Sequence, residues 1–503
     1  MVEQNPDIAI ALASVQSRIG PASQARSFYD GDQPDVYDAK KWRNQFGPNV
    51  AQPRDNMCPL VVDTVVSRLQ PKEFIARSKD ATDETGATGA NDIAKRSRWD
   101  QTAPEVHRSA GKVGKAAVLV GVNSRGQAVF YPKQGDEVHF QYDPESPGTV
   151  AWTGFVWTVG GAVRVNLYYP TYTERWITNN NTWGAKLPQQ ATAFRPFDDD
   201  GKDSVLSNPM GRVPWFEFAL DKSDLSPVFK LQPALDMALC DLLILSRAAG
   251  APQRYVTGAA PVDESAPAPA PGLGQFAAPV PPPLNPPAPD LNLTLAENYL
   301  DGKPGKDEID GLHIETGPDQ TWFLDDPQAK AGSLPAAELE GTIKLLDNLR
   351  TAVLRDTSIP PHLAMMTTGD FPSGKALKTA EAQFVAKVLA RMIAWGNSWE
   401  DAFAFAVQAE LSHNSRGEFI GLAEMPALEL TWEDPHTQEG LTEEARLDAL
   451  IQIGAPVSVI LADSMDYSPA RAAEIEKLVR EEADRKSEAS ATVFARGGLD
   501  MAA

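Results

Sequence analysis

The sequence predicts an α+β protein, in which helical segments flank one continuous stretch of antiparallel strands. From about residue 113 to residue 218, apolar and polar residues alternate with the period of two that half-buried strands show. Before and after that stretch, apolar residues recur every three or four positions, which is the spacing of one helix face. The 503 residues, 42% of them hydrophobic, suffice for about three structural units with buried cores.

The net charge and the cysteine content argue against several classes of protein. The 46 Lys and Arg residues against 68 Asp and Glu residues give a formal net charge of −22. Proteins that grip nucleic acid are usually basic, so this chain repels a duplex on average. Cys58 and Cys240 stand alone, which excludes a disulfide framework or a four-cysteine zinc site and favours a reducing cytoplasm. We find no signal peptide or membrane span and expect a chain that is neither secreted by that route nor membrane-embedded.

The first 218 residues divide into a helical and a strand-rich part. The run from Leu60 to Leu69, just after Cys58-Pro59, predicts one amphipathic helix within a mostly helical stretch. Six runs rich in β-branched and aromatic residues then predict strands: Ala117 to Val122, Ala128 to Tyr131, Val138 to Tyr142, Trp152 to Trp157, Val163 to Tyr169 and Val213 to Phe218. Gly160-Gly161 separates two of these runs, where a tight hairpin turn needs positive φ. We expect an antiparallel sheet.

Two predicted helices flank a proline-rich tract. Ser226-Pro227 is typical of a helix start, and leucines at helical spacing follow it until Gly250. Residues 259–290 contain 11 of the 41 prolines, which favours an extended or disordered insertion. The second helix is expected to open at Ser333-Leu334-Pro335 and to end at Ile359-Pro360-Pro361.

A very long helix is predicted after an irregular loop that contains Gly369 and Pro372. Apolar residues from Leu377 to Val407 repeat at intervals of three and four and form a single stripe along about 38 residues. A strand from Ala427 to Trp432 follows, and the remainder has the pattern of a small helical unit with a frayed tail.

Motifs that would carry catalysis are weak in this sequence. The stretch Gly111 to Lys115 lacks the spacing of a phosphate-binding loop, and the six histidines occur singly rather than in metal-binding pairs. Glu433-Asp434 beside Trp432 is the best residual enzyme candidate, because a carboxyl against an aromatic ring can act as a general acid. A strand end with a turn is the preferred interpretation, and we predict no enzyme, no metal and no cofactor.

Six segments stand in a characteristic order along the chain. They are Tyr29-Asp30-Gly31-Asp32-Gln33, Phe46-Gly47 with Asn49-Val50, the run from Cys58 to Leu69, Ile359-Pro360-Pro361-His362-Leu363, Gly369-Asp370-Phe371-Pro372-Ser373-Gly374 and Trp432-Glu433-Asp434-Pro435. Together they resemble the portal (connector) proteins of long-tailed double-stranded DNA bacteriophages of the siphophage type. The resemblance extends from about residue 20 to residue 485, and its strength lies in the number and order of the segments.

The resemblance implies a portal-protein fold with wing, stem, clip and helical crown, assembled as a ring, usually of twelve copies. Its parts would be the wing, 1–225 and 413–435; the stem helices, 226–249 and 334–356; the clip, 250–333, with its proline-rich insertion 259–290; the tunnel loop, 357–374; the long spine helix, 375–412; and the crown and tail, 436–503. The proline tract departs from the family pattern, because it is long for a compact clip; it is either a linker or a contact with the motor or adaptor.

The resemblance also implies which residues face the DNA and the partners. The tunnel loop would present Met365, Met366, Thr367, Thr368 and Asp370 to the duplex. Lys375 and Lys378 are candidates for transient phosphate contacts, with solvated helix-surface lysines as the alternative. In the clip, Trp322, Phe323 and His313 would contact the motor or the adaptor. We interpret the stripe with Trp395 and Trp399 as packing rather than a stacking platform for bases.

The implied function is a DNA channel at one capsid vertex for genome packaging, head-tail joining and DNA ejection. The implied partners are further copies of the chain, double-stranded DNA, the terminase motor that hydrolyses ATP, a head-tail adaptor, and the major capsid and scaffold proteins, without a membrane. The protein would reside in the virion, and in the host cytoplasm during assembly. Twelve copies at −22 carry −264 (12 × 22), and such a charge would let DNA slide with few sticking points. The alternatives are another head-tail or baseplate virion protein, or an acidic soluble hydrolase that uses Glu433 and Asp434.

Overall fold

A computed structural model describes most of the chain. The described residues are 5–180, 187–198, 201, 203–250, 254–257, 330–333, 339–364, 374–436, 456–458, 471–472, 474–481 and 485. The chain divides into two compact units, residues 1–369 with 386–434, and residues 370–385 with 435–503. The described pieces of the second unit are nearly all helical.

Eight α-helices are described. They are α1 Asp7–Asp30, α2 Ala39–Phe46, α3 Cys58–Val66, α4 Ala81–Ser97, α5 Trp99–Val113, α6 Leu231–Gly250, α7 Glu340–Thr357 and α8 Gly374–Leu411. Short 3₁₀ turns form at Ala191–Ala193 and Pro361–Ala364. The 38 residues of α8 confirm the long helix that the apolar stripe predicts.

Thirteen strands are described, and all of their pairings are antiparallel. They are β1 Pro71–Ala76, β2 Lys115–Val122, β3 Ala128–Gln134, β4 Val138–Tyr142, β5 Val150–Val159, β6 Ala162–Tyr168, β7 Tyr172–Thr178, β8 Phe194–Pro196, β9 Val205–Ser207, β10 Trp215–Ala219, β11 Arg254–Thr257, β12 Lys330–Ser333 and β13 Leu428–Trp432. The largest sheet has the order β4-β5-β6-β7-β8, with β9 paired to β7. A second sheet has the order β10-β2-β3, and β1-β13 and β11-β12 form two-stranded ribbons. The α+β class is confirmed.

Helix α1 covers the large sheet with one apolar face. Its buried residues Ile8, Ala11, Leu12 and Val15 recur at the three- and four-residue spacing of a single face. They share a hydrophobic core with alternate residues of the sheet, among them Trp152, Val163, Val165, Leu167 and Trp176. The sheet residues are far from α1 in sequence, so this core depends on the tertiary structure.

The strand and turn predictions are confirmed at several points. The six predicted strands correspond to β2, β3, β4, β5, β6 and β10, and the last predicted strand to β13. The turn between β5 and β6 has φ of +57° at Gly160 and +81° at Gly161, as a tight hairpin requires. The stretch from Gly111 to Lys115 joins the end of α5 to the start of β2, and Gly114 between them has φ of +95° and donates its N–H to the Ala110 carbonyl. Gly114 therefore ends a helix rather than forming part of a phosphate-binding loop.

Two predicted helix starts are wrong. Ser226-Pro227 lies in consecutive turns, and α6 begins at Leu231. Helical hydrogen bonds from the Phe229 N–H to the Leu225 carbonyl and from the Gln232 N–H to the Val228 carbonyl are present in these turns. Pro233 has no N–H to donate to the carbonyl of residue 229, so one bond of the ladder is missing where the turns meet α6. Ser333 ends β12, where it pairs with Arg254, and the second helix begins at Glu340. A strand pairing therefore overrides the local helix-start signal.

Candidate functional site

The sequence-predicted DNA-facing and partner-facing side chains lie outside the described part of the chain. This applies to the tunnel-loop set Met365, Met366, Thr367, Thr368 and Asp370, and to Trp322, Phe323 and His313. The proline-rich tract 259–290 lies outside it as well. Lys375 and Lys378 lie in the first turns of α8, where only the backbone is described. These assignments stay predictions.

A buried ion cluster lies beside α8 and is the candidate site that the structure adds. Asp224, only 6% exposed, accepts hydrogen bonds from Arg391, which is 7% exposed. Arg391 Nη1 is 2.7 Å from Asp224 Oδ2, and Nη2 donates to Oδ1, so the contact is bidentate. Lys387 Nζ lies 3.0 Å from Asp224 Oδ1. One carboxylate therefore binds two cations of the long helix.

Local structure places these three side chains. Lys387 and Arg391 are four residues apart on α8, so they share one helix face. Asp224 lies in the turns that precede α6, and its backbone N–H donates to the Gly111 carbonyl at 2.9 Å. The neighbouring Ser223 hydroxyl donates to the Lys112 carbonyl at 2.5 Å. The hydrogen bonds to the end of α5 therefore position Asp224 independently of its ion pairs.

The ion contacts decide the protonation of Asp224. Burial by itself would raise the pKa of this carboxyl, but the hydrogen bonds and charges of Arg391 and Lys387 outweigh burial and hold the pKa below its usual value. For Lys387 burial is the dominant influence, and it lowers the pKa of the ammonium despite the attraction of Asp224. Removing Asp224 or Arg391 from the bidentate pair would leave an uncompensated buried charge, which costs about 3–5 kcal/mol.

An aromatic core next to the ion cluster joins α8 to α5 and to the strands. Trp395 and Trp399 are buried. The imidazole of His107 on α5 stacks on Trp395 at 4.9 Å between ring centroids, and its Nε2 accepts the Trp399 indole N–H at 2.9 Å. Phe218 of β10 packs on the Trp399 ring at 4.7 Å. The two tryptophans are core residues, which confirms that interpretation of the stripe.

Burial sets the charge of His107. Desolvation, followed by the nearby Arg391 charge, lowers the pKa of His107 to about 3. The imidazole is therefore neutral at physiological pH, and since Nε2 accepts a hydrogen bond, the proton is on Nδ1. Without exposed surface, His107 reaches no substrate. Its role is to hold α5 against α8.

The residual enzyme candidate does not form an enclosed site. Glu433 and Asp434 are exposed just beyond the end of β13. The Glu433 N–H donates to the Gln70 carbonyl at 3.0 Å and so extends the pairing of β13 with β1. Across the described residues no group of His, Cys, Asp and Glu could hold a metal ion. No helix in the described ranges has an apolar stretch that could cross a bilayer.

Sequence reasoning missed the ion cluster, although part of its signal is visible. Lys387 and Arg391 lie one residue before and three residues after Val388, a member of the apolar stripe of α8. Because cations are rarely buried without a partner, cations next to a buried stripe indicate a buried acidic residue. Nothing in the sequence identifies Asp224 as that partner. It is one of 68 acidic residues and lies more than 160 positions away.

The chain is similar to one protein family over most of its length. The model of the family described as "Phage portal protein, SPP1 Gp6-like" matches residues 18–416. This match includes α2 to α8, the three residues of the ion cluster and the sheets up to β12.

Two curated relatives and one solved structure are also similar to the chain. The portal protein of Mycobacterium phage L5 is 29% identical over 158 residues, which is 29% of this chain and 30% of the relative. The portal protein of Mycobacterium phage D29 is 30% identical over 193 residues, or 35% and 37% of the two chains. The matched part thus spans about a third of these relatives. A chain of the "Neck of empty GTA particle computed with C6 symmetry" aligns with a TM-score of 0.38 and 12% identity, covering 84% of this chain and 91% of that chain.

Proposed function

We propose a function from the premise that this chain belongs to the family of SPP1 Gp6-like phage portal proteins, whose model matches residues 18–416. Copies of the chain assemble into a ring at one capsid vertex, and double-stranded DNA passes through its bore during packaging and ejection. The family match carries this proposal. It does not favour the alternatives of a hydrolase or a baseplate component.

The physical chemistry of the chain supports a conduit that holds DNA loosely. A net charge of −22 per copy repels a polyanion, and a lining of that sign reduces the number of lasting phosphate contacts. The cations of the ion cluster, Lys387 and Arg391, are engaged with Asp224. They are therefore not offered to a duplex as a fixed phosphate site.

The finer assignment of parts belongs to the same proposal. Residues 1–225 and 413–435 form the wing, α6 and α7 the stem, and 250–333 the clip that meets the terminase motor and the adaptor. Residues 357–374 form the tunnel loop that faces DNA, and 436–503 form the crown. Twelve copies, the capsid and scaffold proteins as partners, and a place in the virion complete the proposal.

Electron microscopy of the purified full-length chain tests the proposed function. We expect negative-stain images of rings with a central hole, and class averages with resolved rotational symmetry give the number of copies. A heterologous interface on one subunit that closes on itself produces such rings. Images of solitary particles without a bore, at protein concentrations in the micromolar range and at physiological salt, would contradict the proposal.

A further inference from the structure

Lys387 makes a second contact that links the ion cluster to another helix. Its ammonium donates to the backbone carbonyl of Thr357 at 3.3 Å. Thr357 is the last residue of α7, so this carbonyl is one that the helix leaves without an internal partner. A cation at that position satisfies the carbonyl and interacts favourably with the negative end of the helix dipole.

The charges of the cluster explain why Lys387 uses both partners. Arg391 occupies both carboxylate oxygens of Asp224, so the carboxylate compensates the first cation. Lys387 is then a second cation on the same carboxylate, in a place where its side chain is only 26% exposed. The C-terminus of α7, with a partial negative charge of roughly half an electron, supplies the rest of the compensation.

The end of α7 has a defined geometry that this contact can hold. Ser358 has φ of +61°, and its N–H donates to the Arg355 carbonyl at 3.1 Å. The Ile359 N–H donates to the Leu354 carbonyl at 2.9 Å, and Ile359 is buried. The turn is thus closed by its own hydrogen bonds. The contact from α8 to this turn is the hydrogen bond that the Lys387 ammonium donates to the Thr357 carbonyl.

We propose that Lys387 is a positioning residue that fastens the C-terminal turn of α7 to α8 through Asp224. The ammonium joins the last carbonyl of α7 to a carboxylate that Arg391 and the end of α5 already hold. The direction in which the chain leaves α7 toward Pro361–Ala364 is thereby fixed relative to α8. The effect of this contact on DNA packaging rests on the proposed function. In a ring, every copy would hold the chain after α7 in the same direction.

Hydrogen exchange of the purified full-length chain tests the positioning role. Lys387→Met removes the ammonium and keeps the length of the side chain, whereas Lys387→Arg keeps the charge and the donors. We expect Lys387→Met to speed exchange of the amides of Ser358 and Ile359 at least tenfold, and Lys387→Arg to restore most of the protection. Lys344→Met is the matched control, because Lys344 lies exposed on α7 and, within the described part of the chain, pairs with Glu340 of its own helix.

The outcomes separate a positioning role from a general loss of stability. Equal exchange in Lys387→Met and the wild type at the end of α7 would overturn the proposal, and so would a failure of Lys387→Arg to rescue. An increase of the same size in peptides from β5 and β6 would also overturn it, because the effect would then be global. Peptides from α1 provide a further reference within the same sample.

The test is also independent of the proposed function. A chain that forms no rings and still shows the exchange pattern would refute the portal assembly and leave the positioning role of Lys387 in place. Rings without the exchange difference would refute only the positioning role. Where rings form, we expect capsids assembled with Lys387→Met to contain at least tenfold fewer packaged genomes than those with Lys344→Met. Equal packaging would show that the direction of the chain after α7 has no consequence for the ring.

Discussion

At the scale of single residues, burial turns ordinary ionisable groups into structural ones. His107 is neutral because it lies without exposed surface between Trp395 and Trp399, next to the Arg391 charge. Its pKa of about 3 compares with 6.5 for a solvated imidazole. The folded state therefore resists protonation, whereas the unfolded chain accepts the proton more readily.

This difference predicts how stability depends on pH. The unfolded chain binds more protons than the folded chain between pH 6.5 and about 3, so the free energy of unfolding falls as the pH falls through that window. Within this window His107 alone changes the free energy of unfolding by about 1.4 kcal/mol per pH unit. His107→Gln, which keeps an acceptor for the Trp399 indole, should remove that slope. Urea unfolding of both proteins at pH 7, 5.5 and 4.5 measures it, and parallel pH profiles would contradict the assignment.

At the scale of elements, two turns of the first unit pack against each other through glycines. Gly126, in the turn between β2 and β3, has φ of +74°, and a Cβ on it would lie 2.1 Å from the Asn414 carbonyl oxygen. Gly417, in the turn after α8, has φ of +73°, and a Cβ there would lie 2.8 Å from the Asn123 carbonyl oxygen. Each glycine thus allows the backbone of the other turn to approach.

Alanine at Gly126 should be far more costly than at a glycine that only makes a turn. Positive φ costs an alanine about 1–2 kcal/mol, and the clash with Asn414 adds about 1–3 kcal/mol. Gly160 is the matched control, because its φ is +57° and nothing lies within 4 Å of its would-be Cβ. Urea unfolding of Gly126→Ala and Gly160→Ala compares them. Equal losses of stability would show that the two turns do not pack as described.

Helix α1 is an element that the large sheet needs. The family match begins at residue 18, within α1, yet Ile8, Leu12 and Val15 of the first turns are buried against the sheet. Removing residues 1–17 should therefore expose Trp152 and Trp176 and shift their fluorescence to longer wavelength. Ile10→Ala, at a position 46% exposed, is the control and should leave the spectrum unchanged. An unshifted spectrum of the truncated chain would contradict the role of α1 in this core.

At the scale of the whole molecule, the net charge opposes assembly of identical copies. Each copy carries −22, so in the proposed ring neighbouring subunits repel each other unless salt screens them. The screening length is about 30 Å at 0.01 M salt and about 8 Å at 0.15 M. We therefore expect the ring fraction in sedimentation velocity experiments to rise between these salt concentrations. A ring fraction that falls with salt would indicate that attractive ion pairs between copies dominate.

The fold was predictable wherever one local period dominated. The alternation places β4, β5 and β6 within two residues of their observed ends, and the stripe of α8 ends three or four residues short of the observed helix ends. Strand β7 was missed because Glu174 and Arg175 lower its apolar content, although Arg175 is buried with its guanidinium 4.7 Å from the Phe197 ring centre. Such a compensating contact lies outside any local window of sequence.

The amino-acid sequence alone predicts the α+β class and the order of the main elements, and it contains the acidic charge and the segments that point to the portal family. These are properties of local period, composition and short runs, which a chain carries before it folds. Three features became visible in the folded chain: Asp224 binds Lys387 and Arg391, Lys387 reaches the end of α7, and α1 completes the core of the sheet. Those contacts join residues up to about 170 positions apart, and their partners are chosen by packing and charge compensation in three dimensions.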